Sequence, residues 1–179
     1  MLEKDNLVFV IIDIQGKLAR LMRDRDSLFQ SVQTLIRGMD ILKIPILRLE
    51  QIPEKLGPTI PEIDALLPAA PPIPKSTFSA CGNEAFMAAL KALNKSQVLL
   101  AGIETHICVY QTAADLVRLG YETEVSVDAV SSRTSLNKET GLEKIRGAGA
   151  ALTTVETAFF ELLKEAGGDA FKKIAALIK

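Results

Sequence analysis

Tryptophan is absent from the 179 residues, histidine occurs once and cysteine twice. Aromatic residues make up 5% of the chain, too few for the stacking platforms that hold single-stranded nucleic acids. Neither sign of charge dominates, since 21 basic residues face 22 acidic ones for a net charge of -1. Nucleic-acid binding draws its affinity from neutralised phosphates and calls for a basic patch, so no nucleic-acid partner is expected. The apolar run over 7–12 is far shorter than the roughly 20 residues that cross a bilayer, and the opening Met1-Leu2-Glu3-Lys4-Asp5-Asn6 lacks the basic and apolar regions of a secretory leader. The expectation is a cytoplasmic protein without membrane association. Cys81 and Cys108 are then reduced thiols, not a disulfide. One of them is free to act as a nucleophile.

What the chain does have is apolar bulk, with 48% hydrophobic residues. A chain of this length buries roughly 70% of its unfolded surface as one domain, and no linker, repeat or low-complexity tract divides residues 1–179. The β-branched run over 7–12 reads as a strand buried on both faces. Leu28, Val32, Leu35, Ile36 and Met39 share one face of a helix over 27–42. Further strands are expected over 45–49, 97–101, 121–127 and 150–155. Helices are expected over 84–93, 107–119, 138–147, 156–163 and 169–178, with Gly120 closing the one over 107–119. The stretch 53–74 holds seven of the eight prolines and excludes a long helix. It reads as a lid or binding loop, or as an extended connection to an edge strand. Strands alternating with helices imply right-handed crossovers and a mostly parallel sheet covered on both faces.

In such a sheet ligands bind beyond the carboxyl ends of the strands, and three residues fall there. Asp13 ends the first strand, Lys75 follows Ile73-Pro74, and Cys108 lies in the turn from strand to buried helix. Near a helix N-terminus, peptide dipoles and unpaired N–H groups favour a thiolate and can stabilise an oxyanion. Each residue also has an ordinary reading: a buried small hydrophobe for Cys108, a turn cap for Asp13 and a solvated cation for Lys75. As a set they supply a nucleophile, a carboxylate to move its proton and a cation to moderate both. Gln15 and Gln51 are candidate pocket polars, Phe78 and Ile103 candidate apolar walls. His106 is expected to line the pocket or a subunit contact. It stands too close to Cys108 in a tight turn to face it as a base.

Val10-Ile11-Ile12-Asp13-Ile14-Gln15, Pro74-Lys75-Ser76-Thr77-Phe78-Ser79 and the block from Ala101 through Gly102-Ile103-Glu104-Thr105-His106-Ile107-Cys108 to Ala113 resemble, in order, the three signature blocks of isochorismatase-like cysteine hydrolases. The similarity continues through Gly120-Tyr121, Asp128-Ala129, Ser132-Arg133 and Gly149-Ala150. The segment Glu50 to Thr59 is similar to the isochorismatase domain-containing protein subgroup. The resemblance implies a three-layer α/β/α fold of the isochorismatase-like, Rossmann-like kind, with a six-stranded sheet in the order 3-2-1-4-5-6. It also implies a Cys108 nucleophile that forms a thioester, with Asp13 moving protons and Lys75 holding that carboxylate. A cis peptide between Ile103 and Glu104 follows, as does an oxyanion hole from the backbone N–H groups of Glu104 and Cys108. The expected reaction is cofactor-independent hydrolysis of a small-molecule amide or related C–N bond; a catalytically weak binding or scaffold module on the same fold is the alternative. Authentic isochorismatase, which cleaves a vinyl ether, lacks a cysteine at the position of Cys108. The single histidine cannot build the metal site of zinc-dependent nicotinamidases, so no metal is expected. Family habit and the apolar helix over 107–119 point to a homo-oligomer.

Overall fold

The computed structural model describes residues 1–67 and 70–178; Pro68 and Ala69 of the proline-rich stretch, and Lys179, lie outside the described residues. The strands are β1 (Leu7–Ile12), β2 (Ile46–Gln51), β3 (Pro72–Lys75), β4 (Gln97–Ile103), β5 (Glu122–Ser131) and β6 (Ala151–Thr153). All pair in parallel, in the order β3-β2-β1-β4-β5-β6. The helices are α1 (Gly16–Arg20), α2 (Arg25–Leu42), α3 (Pro53–Leu56), α4 (Pro61–Asp64), α5 (Glu84–Ala92), α6 (Tyr110–Arg118), α7 (Ser135–Gly147), α8 (Val155–Leu163) and α9 (Gly168–Leu177).

The central strand shows why its sequence is apolar without a break. Leu7, Phe9 and Ile11 enter the cluster formed with α2, α8 and α9, whereas Val8, Val10 and Ile12 enter the one formed with α5, α6 and α7. Successive side chains point to opposite faces, and here both faces are covered. Polar caps start the surrounding helices: Asn83 accepts from the Phe86 N–H, Thr134 from Asn137 and Thr154 from Thr157. Gly120, at φ +88°, ends α6 in the left-handed region with open space around it.

The proline-rich stretch leads to an edge strand, as its second reading expected, and its described part is not plain extended chain. It holds two helical turns, α3 and α4, each opened by a proline at its first position, and then an edge strand. Ile60, Ile63 and Leu67 anchor it in the core. Pro72 and Pro74 are tolerated in β3 because, among the described residues, its outer edge has no partner strand to receive their missing N–H groups. The helix expected over 107–119 begins differently, as a π-helical turn over Thr105–Val109 that passes into α6 at Tyr110. The short α1 carries too few apolar residues to show a helical period and was not expected.

Gly102 sets how closely β4 approaches the end of β1. It pairs with Ile12, has φ +125°, and a Cβ there would lie 2.1 Å from the Ile12 carbonyl oxygen. Gly102→Ala is therefore expected to lower the unfolding free energy by at least about 3 kcal/mol, strain and overpacking acting together. Urea denaturation measures it, and a loss below about 1 kcal/mol, the size of an ordinary surface change, would contradict the close approach.

Candidate active site

Asp13, Lys75 and Cys108 come together at the carboxyl edge of the sheet. Asp13 leaves β1 at φ +54°, in the left-handed region, which turns its side chain off the strand axis. Lys75 is the last residue of β3, two strands away, and Gln51 pairs with it in the strand between. The four-carbon stem crosses β2 over Gln51. Its Nζ donates to Asp13 Oδ2 at 2.7 Å, to Gln51 Oε1 at 2.6 Å, and to the Thr77 and Phe78 carbonyls at 3.1 and 3.3 Å. Asp13 is 1% exposed and Lys75 3%. Desolvating two charges is repaid only when the geometry is good and the remaining donors are satisfied. Here the ammonium faces four acceptors, and the reason for Gln51 and the 77–78 turn is plain.

Oδ1 of Asp13 has no hydrogen-bond partner among the described residues. It is the carboxylate's free basic position, and the Cys108 thiol lies close enough for each group to shift the other's titration. Burial raises the Asp13 carboxyl above the ordinary range, and Lys75 opposes that rise. The buried Glu50 carboxylate, which accepts from the Thr59 N–H and hydroxyl, adds a smaller upward push. Burial likewise pushes the Cys108 thiol up to about 12, and the negative charge of Asp13 reinforces it while Lys75 pulls the other way.

The other expected residues separate into distinct places. The Ile103–Glu104 peptide is cis. Gln15 is fully buried, with Nε2 donating to the Gln51 and Gly57 carbonyls and Oε1 accepting from the Gln51 N–H. It staples the α3 loop to β1 and has no free donor for a ligand. Gln51 is partly committed: its amide oxygen accepts from Lys75 and one N–H of its amide donates to the Ser76 carbonyl. Ile103 is not a pocket wall. Alternation along β4 puts it with Leu99 and Ala101 in the α2-side core, on the opposite face from Cys108. Phe78 is 55% exposed, its backbone carbonyl held by Lys75. The half-buried His106 faces the Ser132 hydroxyl through Nδ1 at 3.0 Å. Sequence reasoning missed Glu50, Arg133 and Gly141 as neighbours of the site; a carboxylate in an apolar strand was the one signal available for Glu50.

Cys108 is 7% exposed, so the site is nearly closed. A surface depression of about 610 Å³ lies along α8 beside Met1 and Phe160, away from the three residues. Among the described residues no cluster of three or more His, Cys, Asp or Glu could hold a metal ion, and no helix is long and apolar enough to cross a membrane.

A doubly wound α/β protein with a buried acid, ammonium and thiol at the head of its central strands is the class that fold and geometry define. The isochorismatase domain family matches residues 8–157, and the chain belongs to that family, which makes it an isochorismatase-family hydrolase. It is 37% identical over 176 residues to the secreted isochorismatase effector Isc1 of Phytophthora sojae, covering 96% of this chain and 84% of that protein. The MAR1 ribonuclease structure from Caenorhabditis elegans matches with TM-score 0.93 and 33% identity, over 99% of this chain and 91% of the other. The Escherichia coli YcaC structure, described as an octameric hydrolase of unknown specificity, matches with TM-score 0.93 and 27% identity over 99% and 88%.

A thiol raised this far is almost wholly protonated at neutral pH, and its thiolate fraction grows tenfold with each unit. Alkylation of Cys108 by iodoacetamide, followed by peptide mass spectrometry, is expected to accelerate continuously through pH 9. A plateau at or below pH 7 would instead reveal a preformed thiolate.

Proposed function

We propose that this protein is a cofactor-independent cysteine hydrolase that cleaves a small-molecule amide or related C–N bond through a thioester on Cys108. The observation that carries the reading is the closeness of the Cys108 thiol to a buried carboxylate whose second oxygen has no hydrogen-bond partner among the described residues. As Cys108 Sγ attacks the carbonyl carbon, its proton passes to Asp13. The backbone N–H groups of Glu104 and Cys108 receive the oxyanion. Collapse expels the amine with the proton from Asp13, and Asp13 then takes a proton from the water that hydrolyses the thioester. Lys75 holds Oδ2 throughout, which leaves Oδ1 for the transfers.

The near-closure of Cys108 favours a small substrate, and the engagement of Lys75 with four acceptors leaves it no role as a carboxylate-binding cation. An RNA substrate, which the name of the C. elegans relative would suggest, finds no support in a net charge of -1. Free thiols at Cys81 and Cys108 suit a reducing, cytoplasmic compartment. Exposed Phe78, Leu119 and Leu136 support assembly into a homo-oligomer, in which a neighbouring copy would wall the site. The same closure favours, as a second reading, a binding module that has kept the fold without turnover.

Incubation of wild type and Cys108→Ala with a panel of small neutral amides decides between them. Wild type is expected to release amine and to show an acyl mass on Cys108, and Cys108→Ala neither. Equal release by both proteins would eliminate the cysteine mechanism, and no release or adduct from wild type would leave the binding module. Light scattering is expected to give a multiple of the 19.4 kDa chain; a monomer at micromolar concentration would remove the assembly.

A further inference from the structure

The turn that carries Cys108 is gripped from outside the triad, by the end of β5 and by α7. The carboxylate of Glu104, 6% exposed, does not face solvent. Its Oε2 accepts from both the backbone N–H and the Nε of Arg133, each at 3.1 Å. The carbonyl of the same Glu104 accepts from the N–H groups of Ile107 at 3.0 Å and Val109 at 3.3 Å. One residue therefore begins the π-helical turn and ties it to the segment after β5.

Two further contacts restrain the next residues. His106 Nδ1 meets the hydroxyl of Ser132, a fully buried residue whose own carbonyl accepts from the Arg23 N–H at 3.0 Å. On the other side α7 lies directly against the turn. A Cβ on Gly141 would stand 2.7 Å from the His106 nitrogen and 2.8 Å from the Thr105 carbonyl carbon. Gly141 sits in the interior of a helix, where alanine is the better helix former by about 1 kcal/mol. Its presence there is explained by the space that the turn occupies.

We infer that Arg133 and Gly141 are positioning residues for the oxyanion-binding N–H groups of Glu104 and Cys108, with Arg133 also neutralising the Glu104 carboxylate that would otherwise repel the oxyanion. The inference rests on the cysteine-nucleophile reading above. The charge argument is specific. Glu104 is buried within the residue that supplies one oxyanion donor, and an unpaired carboxylate there would oppose negative charge developing a few bonds away. Arg133, about half exposed, supplies a cation to that carboxylate without entering the reaction itself. Gly141 acts by position alone. A displaced donor costs rate steeply, because oxyanion stabilisation depends on donors already aimed at the atom where charge develops.

Acyl transfer and alkylation separate this role from a general structural one. With p-nitrophenyl acetate, Cys108 Sγ forms a bond to the carbonyl carbon, its proton passes to Asp13 and the π pair moves onto oxygen. The returning pair then expels p-nitrophenolate, leaving acetyl-Cys108. Iodoacetamide alkylation uses the same thiol but develops no oxyanion. In Arg133→Met the ratio of acetylation to alkylation rate is expected to fall at least about tenfold. It is expected to return to within about threefold in Arg133→Met/Glu104→Gln, where the carboxylate charge is gone and the hydrogen-bond acceptor remains. Gly141→Ala is expected to lower the ratio by a similar factor and to gain nothing from Glu104→Gln. Melting curves check that each variant is folded. An unchanged ratio in Arg133→Met or Gly141→Ala would overturn the inference, as would a loss that Glu104→Gln does not rescue in the arginine variant. A wild-type protein that alkylates on Cys108 yet is never acetylated removes the nucleophile reading itself, and this inference with it.

Discussion

The site depends on one ion pair, between Lys75 at the edge of the sheet and Asp13 at its centre. Two buried charges stand in a place where water has been removed, and neither could remain ionised alone. Attraction between them is strong in such surroundings, yet it offsets desolvation only when every remaining donor finds an acceptor. That demand organises the whole carboxyl edge. Gln51 must present its amide oxygen from the intervening strand, the chain after β3 must turn so that two carbonyls face the ammonium, and Gln15 must hold the α3 loop against β1.

The pair also decides what kind of nucleophile the thiol is. With Lys75 committed to Asp13, its charge only partly offsets the burial that pushes the Cys108 thiol up. The carboxylate keeps one oxygen unpartnered, and burial makes it a stronger base than an exposed aspartate. In the proposed mechanism, activation belongs to the moment of attack, when the proton passes from the thiol to that carboxylate.

Much of the fold was legible in the chain. An unbroken apolar run over 7–12 can belong only to an element covered on both sides. Helix–strand alternation, together with the order of the three similar blocks, leads to the parallel sheet with β1 near its middle. The proximity of Asp13 and Cys108 was legible too, since both follow strands that prove to be neighbours. Lys75 was less so, because strand order places another strand between it and Asp13, and only the length of a lysine stem closes the gap. Ile103, a candidate apolar wall, lies by alternation along β4 in the α2-side core.

The amino-acid sequence by itself determined the elements, their parallel arrangement and the chemical identity of the groups at the ends of the strands, because periodicity and residue type are local properties. Tertiary structure alone decided which of those groups are ionised, which are spent and which are free. Gln15 looks like a polar residue available to a ligand until its partners, dozens of residues away, are seen to occupy it. Burial and hydrogen-bond satisfaction belong to pairs of residues distant in the chain, and no single segment encodes them.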